Sequence, residues 1–138
     1  MKNIIIAGAG KGIGLASAEL LSERNNVIAV TRSKSEELEK MKVQIYYSDL
    51  SSENSADTIL LPDEIHGLVY CPGSINLKPF NRLTTEDFLA DFKQNVLGAV
   101  KLIQHCLPNL KRSKNASVVL FSTVAVKTGM SFHSSISV

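Results

Sequence analysis

Apolar positions along this chain come in two alternating rhythms. Short apolar runs of strand length fall at residues 3–7, 26–30, 43–47, 65–71 and 117–121, and Pro72-Gly73 closes the fourth. Between them lie stretches with helical spacing. Residues 12–24 predict a helix with Ile13, Ala16, Leu20 and Leu21 on its apolar face. Residues 35–41 predict a short exposed helix, with Glu36 and Lys40 four apart. Residues 51–60 carry at best a short helix. The longest element is predicted over 85–111, where Phe88, Phe92, Val96, Val100, Ile103 and Leu107 recur at near-helical intervals. Thr84 before it and Asp87 three residues later form a capping-box pattern. Apolar strands alternating with helices predict an α/β fold with a doubly wound parallel sheet and right-handed crossovers. The expected strand order is 3-2-1-4-5, with a ligand crevice at the carboxyl ends of strands one and four.

The 138 residues are enough for one domain with a real core, and no repeat or low-complexity linker divides them. A net charge of +2 is too small to argue for nucleic acid. The one basic cluster, Lys111, Arg112 and Lys114, falls where the long helix should end and complements its dipole. No apolar stretch has the length of a membrane span, and the start of the chain lacks the pattern of a signal peptide. Cys71 and Cys106 lie far apart in apolar contexts and read as buried free thiols in a reducing cytoplasm. His66, His105 and His133 have no metal-ligand spacing, so no metal site is expected.

The chemistry concentrates in Ala7-Gly8-Ala9-Gly10-Lys11-Gly12-Ile13-Gly14, between the first strand and the first helix. Strand, glycine turn and helix start together make a pyrophosphate cradle. Gly8 can take a backbone shape that a β-carbon forbids. Gly12 lets the main chain approach phosphate, Ile13 follows it, and Gly14 lets the helix pack on the strand. The spacing Gly8-x-x-x-Gly12-x-Gly14 resembles the short-chain dehydrogenase/reductase family, with Ala7 where that family usually has Thr. The resemblance implies a Rossmann domain that binds a nicotinamide dinucleotide and transfers hydride to or from a small carbonyl or alcohol.

At the end of strand two, where NAD-preferring folds usually place an acid, the chain has Thr31-Arg32-Ser33. Arg32 offers a planar fork to a 2′-phosphate. Lys11 adds a second cation on the same side, and in the family a basic residue at either position goes with NADP(H). Two solvated loop charges are the plainer alternative. Asp49-Leu50 after strand three matches the family's acid-aliphatic pair, which the resemblance sets near the adenine. Asp49 also suits a helix N-terminal acid.

The resemblance thins toward the second half. Where the family has Asn-Asn-Ala-Gly, this chain has Tyr70-Cys71-Pro72-Gly73, so only Gly73 survives. Asn95 matches the family asparagine that holds a water in a proton relay; a helix-bending or a backbone-bonded Asn is the alternative. Ser122 and Thr123 match the family's hydroxyl pair, whose second member polarises the substrate carbonyl; Thr123 takes that place with the register open by one residue, and a hydroxyl-rich strand-end turn is the alternative. At the place of the family's Tyr-x-x-x-Lys tyrosine stands Ile136 or Ser135. His133 is another group able to donate a proton, and an ordinary solvated loop histidine is the alternative. These features predict an incomplete Rossmann domain over 1–138 that lacks the family's last strands and has little turnover by itself. Strand five is then an uncovered apolar edge, so self-association is expected. The rival reading is a non-catalytic dinucleotide-binding module: a sensor, scaffold or pseudoenzyme.

Overall fold

Ile4, Ile5 and Ile6 are all buried, and their alternation divides the core into two layers. The computed structural model describes residues 1–138. Ile5 and Ala7 of β1 (Asn3–Ala7) share one layer with Ile28 and Val30 of β2 (Asn26–Thr31) and Leu68 and Tyr70 of β4 (Gly67–Tyr70). Ile4 and Ile6 share the other with Val27 and Ala29. Two more strands, β3 (Gln44–Tyr47) and β5 (Ser117–Leu120), complete a parallel sheet of order β3-β2-β1-β4-β5. Ile5 lies opposite Ile28 on one side and Leu68 on the other. This is the expected doubly wound order.

Helix α1 (Gly12–Ser22) covers the second layer through Ala18, together with Leu38 of α2 (Glu36–Glu39). The buried positions of α1 are Gly14 and Ala18, with Leu15 and Leu21 packed beside them. The face predicted on Ile13, Ala16 and Leu20 is turned to solvent. The cause is Gly14, where a β-carbon would overlap the Gly8 carbonyl oxygen. That contact fixes the helix rotation, so residues four and seven positions on face the sheet. In α2, Ser35 caps the helix by accepting from Leu38 N–H at 3.4 Å. Leu38 turns inward, so α2 is not wholly exposed, and the ion pair formed is Lys34 with Glu39 at 3.4 Å rather than Glu36 with Lys40. Residues 51–60 contribute only a 3₁₀ turn, Ser55–Thr58.

The long helix is present but not uniform. It runs as α3 (Thr85–Phe92), a π turn (Lys93–Leu97) and α4 (Gly98–Arg112). Thr84 and Asp87 form the predicted capping box, and Lys78 pairs with Asp87 at 2.9 Å. Leu102, Cys106 and Leu110 of α4 lie in the first core layer. The predicted stripe is a second apolar face: Phe92, Val96, Val100 and Leu107 are each more than a third exposed. A helix apolar on two sides offers two seams for packing, and only one is filled by the sheet. Strand β5 is the uncovered edge expected, exposed at all four positions.

Candidate functional site

The turn after β1 is pinned to β2 by Gly8 and Ala9 N–H groups donating to the Val30 carbonyl at 2.8 and 3.1 Å. Gly8 has φ of +72° and Gly12 of +55°, a region L side chains rarely enter. A β-carbon on Gly12 would meet nothing within 4 Å. The turn is therefore shaped by its backbone, with open space above it. Helix α1 begins with no side-chain cap and no acid in its first turn. Its first N–H groups and positive dipole end are left to an anion.

This turn floors a crevice of about 490 Å³ at the carboxyl ends of the strands. Gly8, Lys11, Gly12, Ile13 and Gly14 line it from the turn, and Arg32 from the end of β2. Asp49 and Leu50 line it from the end of β3, and Gly73 from the loop after β4. All nine residues singled out for nucleotide contact thus border one space. Asp49 Oδ1 accepts from the Ser51 hydroxyl at 2.6 Å and from its N–H at 3.0 Å. These bonds, with the nearby Arg32 charge, hold its carboxyl below the usual aspartate value. The crevice has further lining residues beyond those nine, among them Gly10, Ser33 and Lys34. Gly10 lies so close to Thr31 that a β-carbon would overlap the threonine hydroxyl. Ser33 and Lys34 extend the Arg32 segment along the crevice.

Asn95, Ser122 and Thr123 line a second, mainly apolar cavity of about 470 Å³. Cys71, Pro72 and Gly73 border both spaces, so the two adjoin at the loop after β4. Asn95 makes a two-point clamp on Ser74. Its Oδ1 accepts from Ser74 N–H at 2.9 Å, and its Nδ2 donates to the Ser74 carbonyl at 3.0 Å. Asn95 is thus backbone-bonded and lies within the π turn. Thr123 Oγ1 accepts from Ala125 N–H at 3.2 Å, which leaves its own proton to donate. Ser122 is exposed.

The most informative residue missed in the sequence is Asp91, almost fully buried four residues before Asn95. Its Oδ1 accepts from Ser74 Oγ at 2.7 Å and Asn76 Nδ2 at 3.1 Å. Its Oδ2 accepts from Ser135 Oγ at 2.6 Å and Asn76 N–H at 3.3 Å. An acid among Phe88, Leu89, Ala90 and Phe92 was the available signal, because a buried carboxylate needs donors. Ser135, one of the two candidates for the tyrosine position, donates to this carboxylate, and Ile136 lines the apolar cavity. His133 is not among the residues lining that cavity; its Nδ1 sits 2.6 Å from the Ser131 carbonyl oxygen. No three His, Cys, Asp or Glu side chains gather as metal ligands. No helix is long and apolar enough to cross a membrane.

Sheet order, glycine turn and crevice define a dinucleotide-binding α/β protein. The short chain dehydrogenase family model matches residues 2–135, so the chain belongs to that family. Membership implies a nicotinamide dinucleotide as cofactor. An uncharacterized oxidoreductase of Schizosaccharomyces pombe is 29% identical over 91% of this chain and 55% of its own length. Human retinol dehydrogenase 8 is 28% identical over 96% of this chain and 47% of its own. The Escherichia coli 2,3-dihydro-2,3-dihydroxybenzoate dehydrogenase is 26% identical over 92% and 53%. The chain therefore spans about half the length of these relatives. Among solved structures, a short chain dehydrogenase/reductase family protein superposes with a TM-score of 0.90 at 21% identity, covering 99% of this chain and 61% of its own. A Saccharomyces cerevisiae short-chain dehydrogenase/reductase gives 0.89 at 20%, covering 99% and 59%. At such identities the superpositions speak for the fold.

Proposed function

We propose that this chain is the nucleotide-binding part of a short-chain oxidoreductase that takes NADP(H) in preference to NAD(H). The observation that carries this reading is the placement of Lys11 and Arg32 on the same crevice as the glycine turn. Gly8, Gly12 and Gly14 shape the backbone, and the start of α1 meets the pyrophosphate. Lys11 and Arg32 meet a 2′-phosphate, while Asp49 and Leu50 border the adenine and Gly73 the nicotinamide side. The bound nucleotide supplies hydride chemistry, exchanged with the carbon of a small carbonyl or alcohol. In the adjoining cavity Thr123 or Ser122 donates to the carbonyl oxygen, and Asn95 fixes the loop between the two spaces. Assembly into a homo-oligomer and residence in the cytoplasm belong to the same reading.

A second reading, a non-catalytic dinucleotide-binding module, is favoured by one observation. Ser135, one candidate for the tyrosine position, donates to Asp91, while the other candidate is the apolar Ile136. The tyrosine that lines the cavity, Tyr70, donates its phenol proton to the Gln94 carbonyl at 2.7 Å. General-acid help contributes on the order of 10²–10⁴-fold to such reactions. The 138-residue chain is thus expected to bind NADPH yet to turn over aldehydes and ketones negligibly. NADPH oxidation followed over a broad carbonyl panel tests this. Clear turnover that survives His133→Ala would refute the inactivity expected here and point to another donor.

A further inference from the structure

The π turn of the long helix has a specific partner. In an α-helix the Gly98 N–H would donate four residues back, to the Gln94 carbonyl. Here it donates five back, to Lys93. The Gln94 carbonyl instead accepts from the Tyr70 hydroxyl at 2.7 Å. Gly98 makes room for that phenol, since a β-carbon there would overlap the Tyr70 oxygen and lie 3.0 Å from the Leu50 carbonyl oxygen. Tyr70 is the last residue of β4, only 4% exposed, and burial holds its phenol well above the usual tyrosine value. It therefore remains a proton donor over the whole working pH range.

The extra residue of a π turn puts the helix faces on its two sides out of phase by about 100°. Asp91, before the turn, and Asn95, within it, reach the loop after β4. Ala99, Leu102 and Cys106, beyond it, lie in the core layer on the sheet. We propose that Tyr70 is the positioning residue of this site: its hydroxyl holds the π turn and so sets Asn95 against the backbone of Gly73 and Ser74. Without that hydroxyl, Gly98 N–H returns to Gln94, and the uninterrupted α-helical phase carries Asn95 away from Ser74. Gly73 is the residue most exposed to the change. A β-carbon on it would lie 3.3 Å from Asn95 Oδ1, and it borders both crevice and cavity. The structural link is independent of ligand; its effect on nucleotide affinity rests on the function proposed above.

Amide hydrogen exchange on the 138-residue chain reads the link at one atom, the Ser74 N–H held by Asn95. The Cys71 N–H, which donates to the Ala7 carbonyl at 3.0 Å, is the control within the sheet. Tyr70→Phe keeps the ring and removes the hydroxyl. It is expected to speed Ser74 exchange by about tenfold and to leave Cys71 unchanged. Gly98→Ala, which displaces the hydroxyl instead, is expected to do the same. Asn95→Ala also frees Ser74, and adding Tyr70→Phe to it has no further effect, as for two groups acting in series. The proposal is overturned if Ser74 stays protected in Tyr70→Phe, if Ser74 and Cys71 lose protection together, or if the two substitutions add. NADPH titration of the same proteins separates this from the functional reading. If the unsubstituted chain does not bind NADPH while Ser74 responds as stated, the nucleotide assignment fails and the positioning role stands. If NADPH binds and Ser74 does not respond, the positioning role fails.

Discussion

Cys71 and Cys106 have the same thiol and different surroundings. Cys106 is buried in the first core layer, and burial pushes its thiol up to about 12. Cys71 is half-buried and also raised by burial, but it borders the crevice above the glycine turn. The thiolate is the reactive form, so both are slow nucleophiles at neutral pH, and only Cys71 has a route to solvent. Iodoacetamide labelling followed by peptide mass analysis should modify Cys71 slowly and leave Cys106 unmodified. NADPH should slow Cys71 further, and faster labelling of Cys106 would contradict the assigned burial. At this scale the lining of the crevice was legible in the sequence, because the turn needs positive φ at Gly8 and Gly12 and few residue types supply it. Asp91 was not legible. Its donors, Ser74, Asn76 and Ser135, lie 17, 15 and 44 residues away, and only the folded chain gathers them.

Among the elements, α3 carries the clearest local design. Asp87 accepts from Thr84 N–H at 3.0 Å and pairs with Lys78, and these contacts hold its carboxyl below the usual aspartate value. A group depressed in the folded state contributes stability above its unfolded value, about 3.9, and loses it as pH falls through the lower folded value. Asp87→Asn should therefore melt lower than the unsubstituted chain at about pH 7, and the gap should close toward about pH 2. An equal gap at both pH values would show that the carboxylate charge is not the source. Helix existence and the capping box were legible because they depend on neighbours within one turn. Helix facing was not. In α1 a single contact, Gly14 against Gly8, overrides the hydrophobic spacing. In the long helix two apolar faces compete for one stripe, and the π turn depends on Tyr70, which is remote in sequence.

For the whole molecule, the notable surface is the unfilled side of α4 together with β5, where Val118, Val119 and Leu120, and Phe121 just after the strand, are all more than 40% exposed. An apolar parallel edge of this kind seeks a partner. The 138-residue chain is expected to self-associate in sedimentation at rising concentration, and Val119→Lys to shift it toward monomer. A wild-type monomer that stays monodisperse would contradict that. The strand order was legible from the alternation of elements, since parallel crossovers leave few topologies. The central claim is that the crevice above the glycine turn holds a nicotinamide dinucleotide and that Arg32 reads its 2′-phosphate. Paired titrations of NADPH and NADH against the unsubstituted chain and Arg32→Asp test it most directly. A charge-assisted contact of about 1.5–3 kcal/mol predicts roughly tenfold to hundredfold tighter NADPH binding, with the preference lost in the variant. Equal affinities for the two nucleotides, or a preference that survives Arg32→Asp, would contradict it.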